Sequence, residues 1–548
     1  MKIVIIGAVA GGATAAARLR RLDEKAEIVV LERGAFVSFA NCGLPYYIGG
    51  VIPKREHLLL QTPKGFHDRY RVEVRVENQV EKIERDKKVV VVRDLKTNTV
   101  YEESYDKLIL SPGAEPKMRY QEAERIFSLR DVPDTLAIKG FIDTKKPQSA
   151  IVVGGGYIGL EMVENLLKQN IQVSLIGSAP QLLNGMLDRE MASFLHNYLR
   201  SKGVKIYLGE RVEEIIDGEK VTVVTKKNRL QADMVISAIG VAPENQLAKD
   251  AGLALGVKGH ILTNEYMQTN DDDIYAIGDA CQVKYYQYPE LETALPLAGV
   301  ANKQARLVAD HIMGINHPFN GVQGTSVLGF MEMVCAATGF SEKMLKNNNI
   351  PYKKVYVFPA NHAGYYPNSK PLNFKLLFSP EGVILGAQIV GFEGTDKRID
   401  IISTAIRAKM TVEDLCQLEL CYAPAFGNAK DAVNIAGFVA QNYLDGLVDF
   451  FYPEDIENLR QTDGIFLDVT TKKEFEKRHL QGAVHIPIDQ LRERMQELDK
   501  SKPIYINCAV GLRGYVASRI LSQEGFKCRN LAGGLALYQN ILLDQQNS

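Results

Sequence analysis

The stretch KIVIIGAVAGGATAAARLRRL, residues 2–22, followed by EIVVLERG at 27–34, decides the fold. A branched apolar run reads as a buried strand. The glycines at 7, 11 and 12 read as a tight turn, the alanine- and arginine-rich segment as a helix, and the second apolar run as the next strand of a βαβ unit. An early lysine and an apolar run also open a secretory signal. Here the glycines split the run and a basic amphipathic helix follows at once, so a strand–turn–helix explains it better. Gly7, Gly11 and Gly12 let the backbone approach a pyrophosphate at a helix N-terminus. Val9 takes the usual middle-glycine position, so this loop alone is a weak signal. Glu32 ends the second strand, where it can accept ribose hydroxyls, and Arg33 beside it is counted with the cofactor residues. Further on, IYAIGDA at 274–280 offers Asp279 at another strand end. The two segments together predict FAD, with Asp279 on the ribityl chain.

A second unit, SAIVVGGGYIGLEMVENLLKQ at 149–169 and QVSLIGSAP at 172–180, carries the full GxGxxG pattern. Gly154, Gly156 and Gly159 follow a strand and open a helix, the context that makes this motif a dinucleotide site. The next strand ends Ile176-Gly177-Ser178, with neither an acid for a ribose nor an arginine for a 2′-phosphate. Both NADH and NADPH are therefore expected to bind. Residues 72–110 alternate and read as antiparallel strands returning to the first sheet. DMVISAIGVAP at 233–243 closes the second domain, and DDDIYAIGDAC at 271–281 returns to the first.

The expected fold class is α/β, with two Rossmann-like domains for FAD and NAD(P), an α+β dimerisation domain and a C-terminal α/β domain. The expected boundaries are 1–115 for the first part of the FAD domain, 116–243 for the NAD(P) domain and 244–322 for the second part of the FAD domain. The dimerisation domain is expected at 323–447 and the last domain at 454–548. With 548 residues and 46% apolar content the chain can bury several cores. A net charge of -1 gives no overall basic field for nucleic acid or an acidic membrane. No uninterrupted apolar run reaches about 18 residues, so no membrane helix is expected. The 7 cysteines are odd in number and widely spaced, which fits a reducing cytoplasm better than a secreted disulfide framework.

One cysteine stands out. Cys42 lies in SFANCGLPYYIGG, 38–50, with no second cysteine near it. A single cysteine beside a flavin loop needs its redox partner from outside, as a bound thiol or as oxidised sulfur. Cys416 and Cys421, in CQLELC, imitate a paired motif but lie far along the chain and read as two incidental buried cysteines. Near the C-terminal end, Cys508 closes an apolar strand and Arg513 ends the loop that follows. Backbone amides curling around a cysteine before a helix give it a positive field, with Arg513 adding charge and closing the loop; the CxxxxR spacing also suggests a phosphatase-like loop, which would need one more residue before the arginine.

Residues 1–445 resemble the single-cysteine branch of the pyridine nucleotide-disulfide oxidoreductases. The carriers are SFANCGLPYYIGG, the loop GAVAGG at 7–12 and YAPAFGNAKDAVNIAG at 422–437. The remainder resembles rhodanese through LDVTTKKEFEKRHLQGAVHIP at 467–487 and NCAVGLRGYVASRIL at 507–521. Thr470 stands where many rhodaneses have arginine. The whole is similar to the coenzyme A-disulfide reductase–rhodanese fusions.

This resemblance implies a cytoplasmic homodimer using FAD and NAD(P)H on coenzyme A disulfide, coenzyme A persulfide or polysulfide. Cys42 is the redox nucleophile that it implies. Thr14, Arg18, Arg21, Ser38, Asn41, Asn302 and Lys430 are the coenzyme A contacts. Arg18 and Arg21 share a helix face, where two guanidiniums suit phosphate groups. Tyr422 and either Tyr365 or Tyr366, with Tyr365 preferred, protonate the leaving thiolate from the facing subunit. Tyr157 is the lid over the nicotinamide and Glu161 helps orient the ring. No metal is implied. Two other readings stand beside this one. An NADH oxidase or peroxidase cycling Cys42 through sulfenic acid would call for a histidine in the first glycine loop, where Ala10 stands. A sulfur carrier would use the flavoprotein part only for docking or sensing.

Overall fold

A computed structural model describes residues 1–117, 123–256 and 258–547. Two compact units divide the chain, Met1–Ile176 with Arg211–Val322, and Gly177–Glu210 with Gln323–Ser548.

The first unit is built on two parallel sheets. One runs in the order Ile274–Ala276, Lys107–Leu110, Lys2–Ile6, Glu27–Glu32 and Glu73–Val76, each strand parallel to its neighbour. Ile3, Val4 and Ile5 are fully buried, as a strand covered on both faces requires. The helices Ala10–Leu22 and Ala298–Ile312 pack together beside it. In the other sheet Ser149–Val153 lies between Gln172–Gly177 and Met234–Ser237, and Ile126–Ser128 pairs beyond Met234–Ser237.

The alternating region after residue 72 divides differently from the expectation. Glu73–Val76 joins the first sheet in parallel, and Lys107–Leu110 rejoins it in parallel. The strands Asn78–Glu84, Val89–Asp94 and Val100–Ser104 form an antiparallel sheet of their own. Alternation reports one buried face, and it is silent on which sheet supplies the neighbour.

In the second unit an antiparallel sheet runs Ser326–Phe330, Met333–Gly339, Ile384–Gly391, Asn373–Phe378, Lys353–Val357. The helices Thr395–Arg407 and Ala432–Leu444 cover it, burying Ile399, Ile402, Val433 and Ala436 against Phe374 and Ile389. The C-terminal part is a parallel sheet in the order Phe450–Phe451, Cys528–Leu531, Ile504–Asn507, Ile465–Asp468, Val484–His485.

Residues 177–210, expected inside the 116–243 domain, group with this second unit. Part of the reason is electrostatic. Lys375 is fully buried and its Nζ lies 2.8 Å from Asp188, 2.5 Å from Glu190 and 2.7 Å from Glu342. A buried ammonium is tolerated only when paired in this way. Among the described residues these three carboxylates are also the group that converges closely enough for a metal ion, and the Lys375 ammonium stands among them. His196, on the helix Arg189–Ser201, pairs through Nδ1 with Asp544 at 2.9 Å, and Asn197 donates to Asn540, both on the helix Gly534–Gln546.

Candidate active site

The first glycine loop is packed so tightly that side chains are excluded. A Cβ on Gly12 would lie 1.8 Å from the Gly7 carbonyl oxygen, and one on Gly7, whose φ is +95°, would lie 2.2 Å from the Ser111 oxygen. The loop therefore turns straight from strand into helix and presents its backbone to a cavity of about 550 Å³. Gly7, Gly11, Glu32, Arg33, Asn41, Cys42 and Asp279 all line that cavity. Glu32 is fixed at its wall, accepting from the backbone N–H of Ala8 at 2.9 Å and of Gly34 at 2.7 Å. Arg33 pairs with Glu244 at 2.6 Å and with Glu115. These features fit a flavin dinucleotide: open backbone at a helix N-terminus, a fixed carboxylate for hydroxyls, and a second carboxylate, Asp279, further along.

The second loop shows the same economy. A Cβ on Gly154 would meet the Ala238 oxygen at 2.1 Å and one on Gly159 the Gly154 oxygen at 1.9 Å, whereas at Gly156 it would meet nothing within 4 Å. Gly154 and Gly159 thus serve close packing, and Gly156 leaves space above the helix Tyr157–Lys168 for a pyrophosphate. Tyr157, the first residue of this helix, is exposed.

Cys42 sits in a single tight turn, Asn41–Gly43, that continues into the short helix Leu44–Ile48. That helix is pressed against the nucleotide helix: a Cβ on Gly49 would come 2.1 Å from Asn165 Oδ1, and Gln169 Nε2 donates to the Gly49 carbonyl at 2.8 Å. The packing brings acidic groups near the thiol. Although the residue is exposed, the surrounding chain desolvates the sulfur in part; that, then Glu161 and Asp279, pushes the Cys42 thiol up, opposed only by its own backbone N–H. Glu161 is pushed up to about 7 by burial and by Glu164. Burial raises Asp279 as well, against Arg130. Tyr46 went unnoticed in the sequence. Its phenol is pushed up to about 12 by burial and by Glu161, Glu164 and Cys42, so it keeps its proton beside the thiol. A tyrosine four residues after the cysteine, one helical turn on, was the available signal.

The expected coenzyme A residues fall into three groups. Thr14 Oγ1 donates to Asn302 Oδ1 at 2.9 Å, and Arg18 Nε lies 2.7 Å from the buried Asp310, so Thr14, Arg18 and Asn302 line one helix pair. Arg18 thus spends charge on Asp310, and Arg21 is exposed. Ser38 holds a left-handed φ of 45° and its N–H donates to the Ala8 oxygen at 2.7 Å, beside the cavity that Asn41 lines. Lys430 is exposed in the other unit.

In that second unit the Tyr365 and Tyr422 hydroxyls are 2.9 Å apart, while Tyr366 faces the His362 ring with centroids at 5.7 Å. Arg398, buried, holds both loops: it donates to Asp431 at 2.7 Å and to the Asn361 carbonyl at 3.0 Å. Tyr365 is 76% exposed, Tyr422 47% and Phe426 73%, a large exposed aromatic surface. The Tyr422 hydroxyl bond holds the Tyr365 phenol above its ordinary range. All seven cysteines are free. Cys421, expected to be buried, is exposed, with Lys397 Nζ 3.6 Å from its sulfur, because it lies on the loop ahead of Tyr422 and outside any core.

Cys508 is buried at the end of the strand Ile504–Asn507, and its sulfur accepts from the N–H of Gly511 at 3.1 Å and of Gly514 at 3.3 Å. Gly511, at φ +104°, turns the chain into the helix Leu512–Gln523. Asp468 accepts from the Thr470 N–H at 2.9 Å and from Asn507 Nδ2 at 2.7 Å, so Thr470 secures the loop floor by hydrogen bonds. Arg513 is turned to Glu474, both nitrogens at 2.7 Å from the carboxylate oxygens.

A family model for pyridine nucleotide-disulphide oxidoreductases matches residues 1–305, its dimerisation domain matches 325–433, and a rhodanese-like domain matches 452–541. The coenzyme A disulfide reductase of Staphylococcus epidermidis is 37% identical over 442 residues, 80% of this chain and 100% of that protein. The crystal structure of reduced Bacillus anthracis CoADR-RHD shares 46% identity at a TM-score of 0.97, covering 99% of this chain and 98% of that one. An NAD-dependent persulfide reductase from A. fulgidus shares 35% identity at a TM-score of 0.92, covering 98% of this chain and 100% of that one.

Proposed function

Because this chain belongs to the pyridine nucleotide-disulphide oxidoreductase family and carries a rhodanese-like domain, we propose that it uses NAD(P)H to reduce coenzyme A disulfide or coenzyme A persulfide through Cys42. The observation that carries the proposal is the free thiol of Cys42 in the wall of the cavity that also holds the glycine loop, Glu32 and Asp279. Bound FAD would take hydride from NAD(P)H and supply the electron pair that cleaves a disulfide at Cys42.

The protein's own part begins with Cys42. Its thiolate attacks one sulfur of coenzyme A disulfide, the S–S bond breaks, and coenzyme A thiolate leaves while Cys42–S–S–coenzyme A forms. On a coenzyme A persulfide the same attack on the inner sulfur releases hydrosulfide. The Tyr365–Tyr422 pair holds a phenolic proton ready for a leaving thiolate, and in a homodimer it serves the partner subunit. Thr14, Arg18, Arg21, Ser38, Asn41, Asn302 and Lys430 are the residues for the coenzyme A moiety. Cys508 carries sulfane sulfur and hands it to a thiol acceptor. Glu161 takes no proton in these steps; its charge near Cys42 holds the thiol up.

Intact mass spectrometry of the oxidised flavoprotein tests the reading. An adduct of coenzyme A mass on Cys42, released by NAD(P)H without oxygen, is the expected result. An added oxygen atom on Cys42 and no coenzyme A would replace it with an oxidase or peroxidase cycle.

A further inference from the structure

The loop around Cys508 is short of positive charge. Its cation, Arg513, makes a bidentate pair with Glu474 at 2.7 Å on both arms. The other groups that act on the guanidinium, Cys508 and Asp468, are also acidic. Asp468 is itself fully buried and satisfied by Thr470 and Asn507. One cation therefore answers two carboxylates before the reacting sulfur ionises. The outer surface of the loop is apolar: Leu512 is 70% exposed, Val510 41% and Val516 38%. A small dianion would find the loop's guanidinium already committed to Glu474 and would shed its water against hydrocarbon. An uncharged alkyl stem would find a surface that it can cover.

We propose that the Cys508 loop takes sulfur from organic persulfides with an uncharged stem next to the reacting sulfur and turns away dianionic donors of the thiosulfate kind, with Glu474 and the Val510–Leu512–Val516 rim setting the choice. The inference rests on the reading of Cys508 as a sulfur carrier. In the favoured reaction the Cys508 thiolate attacks the outer sulfur of R–S–SH. The S–S bond breaks, R–S⁻ leaves with the bonding pair, and Cys508–S–SH forms, with charge and protons conserved. With thiosulfate the same attack would expel sulfite as a dianion past Glu474 and Asp468.

The test uses the full-length flavoprotein without NAD(P)H. Pantetheine persulfide or thiosulfate is added, the reaction is stopped by alkylation, and the gain of one sulfur at Cys508 is followed by peptide mass spectrometry. Wild-type protein is expected to load from pantetheine persulfide at least about 100-fold faster than from thiosulfate, the scale on which a missing charge partner discriminates. Glu474→Gln retains an oxygen for the Thr471 helix cap that Glu474 now makes. It should raise thiosulfate loading on the order of tenfold by freeing Arg513 and change persulfide loading by less than about threefold. Leu512→Ser should slow pantetheine persulfide by about threefold and leave thiosulfate unchanged. Comparable wild-type loading from both donors would overturn the inference, and so would a Glu474→Gln protein whose thiosulfate rate does not move. Loading from neither donor would overturn the carrier reading and the inference with it. The wild-type donor ratio decides the matter even if a variant fails to fold.

Discussion

Cys42 stands exposed in the wall of an open cavity with Glu161 and Asp279 acting against its ionisation. Cys508 is buried to 1% exposure with two backbone N–H groups already on its sulfur. The first site is assembled by packing one helix against another, through Gly49 and Asn165, and its chemistry waits for what binds in the cavity. The second is built from one loop and its immediate supports, so its sulfur environment exists in the chain alone. A site of the first kind can couple to a cofactor's redox state. A site of the second kind can hold sulfur but has no source of electrons.

The largest expected effect separates the two by function. Cys42→Ser should reduce NAD(P)H-dependent cleavage of coenzyme A disulfide on the order of 10³-fold or more, the scale of losing a covalent nucleophile. Cys508→Ser should leave that rate within about threefold, since Cys508 takes no part in the attack on coenzyme A disulfide. Steady-state release of free thiol measures both. A Cys508→Ser loss as deep as that of Cys42→Ser would mean that the sites act as one.

A smaller effect tests whether the Cys508 cradle is as rigid as its contacts imply. A Cβ at Gly514 would fall 2.1 Å from the Asn530 Oδ1, and Asn530 is itself buried and bonded to the Gly511 carbonyl at 2.9 Å. Gly514→Ala must therefore displace an amide that now donates to the sulfur. Sulfur loading at Cys508 is expected to fall about tenfold, the effect of ordinary overpacking, with coenzyme A disulfide reduction unchanged. Loading at the wild-type rate would show that the loop adapts and that the cradle is not preformed.

The two sites also differ in how much of them was legible in the sequence. The dinucleotide loops could be read because glycine spacing records a backbone demand: the contacts at Gly12 and Gly159 leave no room for a side chain. The Cys508 loop is contiguous, so its cysteine, glycines and arginine appear together in the sequence. Its charge balance does not, because Glu474 lies 39 positions before Arg513. The same limit hid the neighbours of Cys42. Glu161 was read as a cofactor residue, and only the packing of the short helix on the nucleotide helix brings it to bear on the thiol. Arg18 pairs with Asp310 across 292 positions, which no periodicity records. The alternating strands after residue 78 were readable as strands and their sheet was not, since an edge can be completed by any partner of matching register.

The smallest expected effect concerns the charge beside Cys42 and has a definite sign. Glu161 is pushed up to about 7, so it is largely neutral below that pH and ionised above it. Its ionised form opposes the Cys42 thiolate. As pH rises through 7, Glu161 gains charge, so the opposition to the Cys42 thiolate grows with pH. The wild-type alkylation rate, measured after bound thiols are removed, should then climb less steeply than a single ionisation allows. Glu161→Gln removes that opposition. It should shift the alkylation profile to lower pH, raise the rate near pH 8 by about threefold, as expected for one screened like charge, and restore the slope of one proton. Below about pH 6 the two proteins should react alike, because Glu161 is already neutral there. Cys508 provides the internal control, since none of the groups on its sulfur changes in this variant. Superimposable profiles for wild type and Glu161→Gln would break the contrast from the Cys42 side: the thiol would then be governed by what fills the cavity and not by the acids that line its approach.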